Sequence, residues 1–440
     1  MVRRSTVFED WKLAANASSS ATQKANVDSG RIVLLYALIT IAFISKLIDG
    51  FIVTLHLVDI GIVIEVLLLL FSARRLVVPR EWVVCVVLLY IAAIVGLATP
   101  ELHSGFPPMP IIPTYQSVSN FLISAIYESR YIVAMGVVLG CGLALRERQW
   151  HRISSYILGL LVVNALASIA EYFWRPLHAT LDAHAHYSGH FSFVYRGVSL
   201  LLNVYDASMS MVFLIGLSIY KWMSCKKKRY LGATFVGVVA MFLLGTRTGY
   251  ITMVGYFVWL SFLTPMSGAR RIFAVTSTVL SMIVALGVAF LLSTRFREII
   301  VSIVTLSDKS GSAQTHVALF LHTLELIVTH PFGVGIGKIN FGSFRPGITY
   351  EPESWILALG LDCGILTVLA FYIYNIRIFI KVYKERRDGA IALAALGFSL
   401  LSLSVINMQV FGSSLTMVLL PTLVATFLGV HEPDVELLNE

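Results

Sequence analysis

Charge is scarce in this 440-residue chain: Asp, Glu, Lys and Arg make up 13% of it, where a soluble chain carries about 25%. That shortage excludes a soluble enzyme, whose surface must be wetted, and a disordered chain, which is rich in charge and poor in apolar residues. Cysteine is scarce too. The four present are Cys85, Cys141, Cys225 and Cys363, none in an expected outer loop. Neither a disulfide framework nor a Cys/His zinc site is expected from them. The first thirty residues lack the charged start, apolar middle and small-residue cleavage site of a signal peptide, and read as a polar cytoplasmic tail. Internal repeats, low-complexity tracts and a separate soluble domain are also missing. What abounds is hydrocarbon: 57% of residues are hydrophobic and the mean hydropathy is +0.81. The composition is that of an integral membrane protein and excludes a nucleic-acid-binding module.

A helix crossing a bilayer needs about 20 mostly apolar residues. Stretches of that kind fall near 32–49, 52–72, 81–98, 119–145, 153–173, 198–220, 230–245, 248–265, 272–293, 354–376, 388–408 and 410–429. The sequence therefore predicts an all-α protein of about 12 transmembrane helices. Residues 1–31 form an N-terminal tail, 32–429 a polytopic membrane domain and 430–440 a C-terminal tail.

The net charge of +8 sorts by position. Basic residues precede the first span (Arg3, Arg4, Lys12, Lys24, Arg31) and follow even-numbered ones: Arg74, Arg75 and Arg80; Arg146, Arg148 and Arg152; Lys221 and Lys226 to Arg229; Arg270 and Arg271; Arg377, Lys381, Lys384, Arg386 and Arg387. Cytoplasmic loops concentrate Lys and Arg, so both termini are expected in the cytoplasm. The others, Lys46, Arg130, Arg175, Arg196, Arg247, Arg295, Arg297, Lys309, Lys338 and Arg345, lie inside spans or on the outer side. Basic groups kept there need a reason, and anion binding is one.

Two outer segments are long, near 174–197 and 294–353. Loops of such length are usually functional. The first holds His178, His184, His186 and His190, which read as a polar, substrate-facing loop rather than a metal site. The second is expected to be partly helical up to about Thr329 and to lie at the membrane surface there. It continues as His330-Pro331-Phe332-Gly333-Val334-Gly335-Ile336-Gly337-Lys338. Alternating glycines let a backbone approach a ligand and offer N–H groups to an anion, although an ordinary Gly-rich loop reads the same way. Glu128 and Arg130 fall inside the fourth span, either paired or with Arg130 facing a cavity. Asp59, Glu65, Asp206 and Asp362 are read as internally paired or cavity-facing.

The strip from His330 to Gly337, a short variable loop, and then Glu353-Ser354-Trp355 through Gly360 to Gly364-Ile365-Leu366 together resemble the C-terminal signature of the O-antigen ligase and O-antigen polymerase (Wzy-type) superfamily. Leu244-Gly245-Thr246-Arg247-Thr248-Gly249 resembles that family's Ser-Arg step between two helices, with Thr246 in place of Ser. Tyr195-Arg196-Gly197, followed by Asn203, is similar to a further Arg-Gly-Asn region, with altered spacing. The resemblance spans roughly residues 120–430. It implies a GT-C-like membrane glycosyltransferase, free of metal and cofactor, in the bacterial inner membrane with its site facing the periplasm. Donor and acceptor would be undecaprenyl-diphosphate-linked oligosaccharides. Membrane lipids and a chain-length regulator are the other partners it allows, and nucleic acid is not one. The ligases usually carry His at the polar position opening the late helix. Glu353 stands there, which favours a polymerase.

The chemistry accords with those residues. A departing lipid diphosphate develops negative charge, which fixed cations stabilise as a metal would; no D-x-D carboxylate pair occurs in an outer loop. Arginine grips phosphate with two hydrogen bonds and stays charged. Arg196 and Arg247 at helix ends, with Arg345 and Lys338 from the long loop, are the expected diphosphate ligands. The acceptor hydroxyl needs a base; Glu353 is the first choice, His330 the second and Glu351 the third, while Arg130 and Glu351 are also cavity-facing candidates. Two other functions remain open: a ligase moving finished polysaccharide onto lipid A–core, and a flippase for the same lipid-linked sugars.

Overall fold

A computed structural model of the chain describes residues 36–37, 39–40, 80–98, 102–106, 109–112, 121, 147–183, 197–265, 268, 276, 312–336, 352, 354–385, 389–406, 409–412 and 414–429. These residues are helical apart from one small hairpin and the connecting turns. The helices are α1 (Arg80–Ala98), α2 (Glu147–Phe173), α3 (Arg175–Ala183), α4 (Val204–Cys225), α5 (Lys228–Leu244), α6 (Arg247–Leu263) and α7 (Ser312–Thr329), followed by α8 (Trp355–Cys363), α9 (Ile365–Lys384), α10 (Ala390–Leu403), α11 (Gln409–Gly412) and α12 (Ser414–Gly429). Strands β1 (Leu102–Phe106) and β2 (Met109–Ile112) pair antiparallel, a small departure from the all-α expectation.

Helix α4 is the centre. A helix that is apolar all round must be buried on every side, and α4 is buried almost continuously from Val204 to Lys221. It packs against α2, α5, α6, α10 and α12. Helix α10 is the second axis, buried along nearly all its length and packed on α4, α6 and α9. Small residues set these approaches, as they do between helices in lipid. Gly397 lies so close to the Phe379 ring that a Cβ there would come within 2.7 Å of Cζ. At Gly216 a Cβ would meet Leu396 at 3.2 Å. Other faces are apolar and open: Tyr90 on α1 is 70% exposed and Phe235 on α5 is 69% exposed. Water disfavours such faces, whereas a bilayer accommodates them. Among the described residues three helices are long and apolar enough to cross a membrane: His151–Phe173 within α2, Val204–Cys225 and Ile365–Lys384.

Several boundaries differ from expectation for physical reasons. The fifth span begins earlier, at Glu147, so Arg148 and Arg152 are helical. The sixth, expected over 198–220, runs from Val204 to Cys225. Residues before it form a turn in which Ser199 (φ 55°) and Leu202 (φ 49°) are left-handed, a region costly for side-chain-bearing residues. The tenth, expected over 354–376, is broken at Gly364 into α8 and α9. Arg377, Lys381 and Lys384 consequently lie within α9 rather than after it. The segment near 174–197 contains α3. In the segment near 294–353, α7 is helical as expected. Its Leu326 and Ile327 pack on Leu357 and Leu361 of α8, while Val317, Leu321, Leu324 and Val328 are exposed.

Candidate functional site

The break at Gly364 organises one candidate group. Ending a helix leaves its last four carbonyls without intrahelical partners, and in a membrane the protein itself must satisfy them. Helix α8 meets that demand in full. The Gly360 carbonyl accepts from Gly364 N–H at 2.9 Å, and the Leu361 carbonyl from Val334 N–H at 2.8 Å. The Asp362 carbonyl accepts from Gly335 N–H at 3.1 Å, and the Cys363 carbonyl from the Thr367 hydroxyl at 2.7 Å. The other side of the break is tied as well: Ile365 N–H donates to the Pro331 carbonyl at 2.9 Å. The Gly-rich strip is therefore a fitted lining for a broken helix. Its N–H groups at Gly333, Val334 and Gly335 are donated to His330, Leu361 and Asp362, so the expectation that they are offered to an anion is corrected for those three.

At its other end α8 is capped by Ser354, whose Oγ accepts from Leu357 N–H at 3.3 Å. Ile356 N–H reaches the Ser404 carbonyl at 3.4 Å, joining α8 to the end of α10. Trp355 packs in an aromatic group with Phe371 and Phe411, with ring centroids 4.6 and 5.2 Å away. Asp362, read as paired or cavity-facing, is completely buried.

His330 follows the last residue of α7 and is partly buried. Its ring Nδ1 lies 2.9 Å from Thr329 Oγ1 and 3.2 Å from the Leu326 carbonyl oxygen. Pro331, next in the chain, holds the start of α9. His330 thus stands beside the α8–α9 break.

A separate candidate group lies around the α5–α6 turn. Gly245 (φ 70°) reverses the chain after α5, and Arg247 is the first residue of α6. Thr246 caps α6 without a side-chain capping bond, and its buried Oγ1 has no hydrogen-bond partner among the described residues. The amino end of a helix carries partial positive charge and unpaired N–H groups, which suit an anion. The carbonyls ending α5 are met from outside: Phe242 accepts from the Tyr250 hydroxyl at 2.9 Å and Leu244 from Gly197 N–H at 3.3 Å. The last bond draws the Gly197 segment against the Arg247 turn.

A buried polar network fixes that segment. Glu171, near the end of α2, is completely buried. Its carboxylate accepts from Val198 N–H at 3.0 Å and Ser199 N–H at 2.8 Å, and meets His178 Nδ1 of α3 at 2.9 Å. The Ser199 hydroxyl donates to Asn164 Oδ1 at 2.7 Å, and Asn164 Nδ2 donates to Ser210 Oγ at 2.7 Å. Asn203 caps α4, accepting from Tyr205 and Asp206 N–H at 2.8 and 3.2 Å. These bonds compensate the left-handed Ser199 and give Asn203 a structural task. Asp206 is a buried carboxylate in the first turn of α4, where the helix dipole favours it. His178, expected in a substrate-facing loop, is instead tied to Glu171.

Of the expected site residues, His330 is described with its side chain and Arg247 by its place at the start of α6. Arg130, Arg196, Lys338, Arg345, Glu351 and Glu353 lie outside the described residues, as do His184, His186 and His190. The structure brings Gly197 to the Arg247 turn and the His330 strip to α8. Glu171, Asn164 and Ser199 were missed by the sequence reading. Their one signal was a carboxylate near the end of an apolar span. No protein-family model, curated protein or solved structure matches this chain.

Proposed function

We propose that this chain is a membrane glycosyltransferase of the O-antigen polymerase kind, joining undecaprenyl-diphosphate-linked oligosaccharide repeat units on the periplasmic face of a bacterial inner membrane. The observation that carries the reading is the bonding of the His330 strip to the α8–α9 break. Two segments that resemble one family signature form a single backbone unit, through Val334 to Leu361, Gly335 to Asp362 and Ile365 to Pro331.

In this reading both termini are cytoplasmic and about 12 spans cross the membrane. The donor diphosphate sits at the start of α6. Arg247 and Arg196 neutralise it, and the amino end of the helix adds its partial charge. Arg345 and Lys338 close over it from the long loop. The acceptor hydroxyl loses its proton to a base as it attacks the donor sugar. Ser354 and the strip mark opposite ends of α8, whose nine residues span about 13 Å at 1.5 Å each. His330 stands at the second end, and Glu353 precedes Ser354 in the sequence; a single base serves a given acceptor. The oriented His330 ring favours His330, leaving Glu353 and Glu351 to hold the sugars.

A deletion strain tests the reading. Surface polysaccharide capped at a single repeat on the core is the expected gel pattern. Long chains stranded on the carrier lipid would make the protein a ligase, and absence of periplasmic lipid-linked units would make it a flippase.

A further inference from the structure

We infer that Thr329 is a positioning residue: it fixes the neutral His330 ring with its proton on Nδ1 and leaves Nε2 as the basic nitrogen. The role in transfer rests on the glycosyltransferase reading above; the tautomer rests on geometry alone.

Two atoms face Nδ1. One is the Leu326 carbonyl oxygen at 3.2 Å, which can only accept. The other is Thr329 Oγ1 at 2.9 Å. A hydroxyl has a single proton, and that of Thr329 is drawn to the last turn of α7: its Oγ1 lies 2.9 Å from the Leu326 carbonyl and 3.2 Å from the Glu325 carbonyl. The Leu326 carbonyl also accepts the His330 backbone N–H at 2.8 Å, and a carbonyl's second lone pair stays open to a side-chain donor. With its proton so used, Oγ1 presents a lone pair to the ring. Both neighbours of Nδ1 are then acceptors, and Nδ1 must carry the hydrogen. The opposite tautomer would set the Nδ1 lone pair against the carbonyl lone pair and strip the hydroxyl of its helix bond. Which ring nitrogen is basic is set by what the other one bonds, and the Leu326 carbonyl beside Nδ1 can only accept.

The consequence for transfer balances. The acceptor hydroxyl gives its proton to Nε2 while its oxygen forms the new bond to the donor sugar. The bond from that sugar to the diphosphate breaks, and its electron pair leaves on the diphosphate oxygen. His330 becomes an imidazolium whose Nδ1–H keeps two acceptors, so charge forms on a ring already solvated by the helix end. Thr329 acts through His330.

The test uses the full chain in lipid nanodiscs with 15N-labelled histidine. Subtracting the His330→Gln spectrum isolates the His330 ring, whose protonated and unprotonated nitrogens resonate far apart. The expected result, at a pH where the ring is neutral, is a protonated Nδ1 in the wild type and in Thr329→Ser. Thr329→Val, which keeps the shape but not the hydroxyl, should show a mixture. A protonated Nε2 in the wild type would overturn the inference. In parallel, transfer between lipid-linked repeat units is followed. Thr329→Val should lower kcat roughly tenfold with KM unchanged, part of the usual general-base contribution, and Thr329→Ser should restore it. Wild-type kcat in Thr329→Val would overturn the positioning role. If the spectra come out as expected but His330→Gln transfers normally, the base assignment fails and the tautomer stands. If wild-type protein transfers nothing, the function proposed above fails, and the spectra still decide the tautomer.

Discussion

Gly333 and Gly364 lie backbone to backbone: a Cβ on Gly333 would come within 2.7 Å of the Gly364 nitrogen, and one on Gly364 within 2.8 Å of the Phe332 carbonyl carbon. Both have φ near +84°, at 84° and 83°. No side chain fits either position, because space and backbone conformation exclude it together. Gly333→Ala and Gly364→Ala should each destabilise the fold by about 2–4 kcal/mol, the sum of left-handed strain and overpacking. Thermal unfolding in detergent checks this, and a melting temperature unchanged in both variants would remove the strip from the folding unit.

Glu171 holds two backbone N–H groups and His178 at once. Glu171→Ala leaves the Val198 and Ser199 N–H groups buried without an acceptor, a loss of about 3 kcal/mol for charge-assisted bonds. Fast amide exchange at residues 197–203 is the expected local signature, with α10 still protected. His178→Ala should do far less, since it leaves both N–H bonds in place.

Arg247 opens α6 beside the segment drawn in by Gly197. Arg247→Ala should lower repeat-unit transfer by about 100-fold or more, as removal of a charge-stabilising group does elsewhere, with membrane expression unchanged. Arg247→Lys should recover part of it, because a lysine supplies charge without the planar fork. Normal chain-length ladders in the alanine variant would sink this assignment.

The two base candidates make opposite kinetic forecasts. His330→Gln should cost about 100-fold or more in kcat. Glu353→Gln should act mainly on KM, as a sugar-holding residue would. The reverse pattern would return Glu353 to the role of base.

Among the described residues the helix pattern was largely legible in the sequence, because runs of hydrocarbon report themselves over any window of about 20 residues, while the spans expected near 52–72, 119–145 and 272–293 lie almost wholly outside the described residues. The break at Gly364 was not. The window from Trp355 through Phe371 is apolar apart from Asp362 and Thr367, and the glycine at 364 barely changes its average. What ends α8 is the supply of donors from Val334 and Gly335, nearly thirty residues earlier in the chain. Glu171 was illegible for the same reason. Its partners at Val198 and Ser199 are 27 and 28 residues away. His330 and Arg247 were found as residue types in suggestive surroundings, but only the fold supplies the tautomer of one and the helix end beneath the other.

The short buried helix α8 bears on how the protein is made. Nine residues are too few to hold themselves across a bilayer during synthesis. Its carboxyl end has donors as soon as the His330 strip has emerged, but the Ile356 N–H finds its carbonyl only at Ser404, after α9 and α10 have been translated. Seating of α8 is therefore among the last steps of biogenesis. A ribosome stalled between α9 and α10 would leave a membrane-inserted chain with the α8 amino end unseated, and protease cleavage near Ser354 would mark that precursor apart from the finished protein.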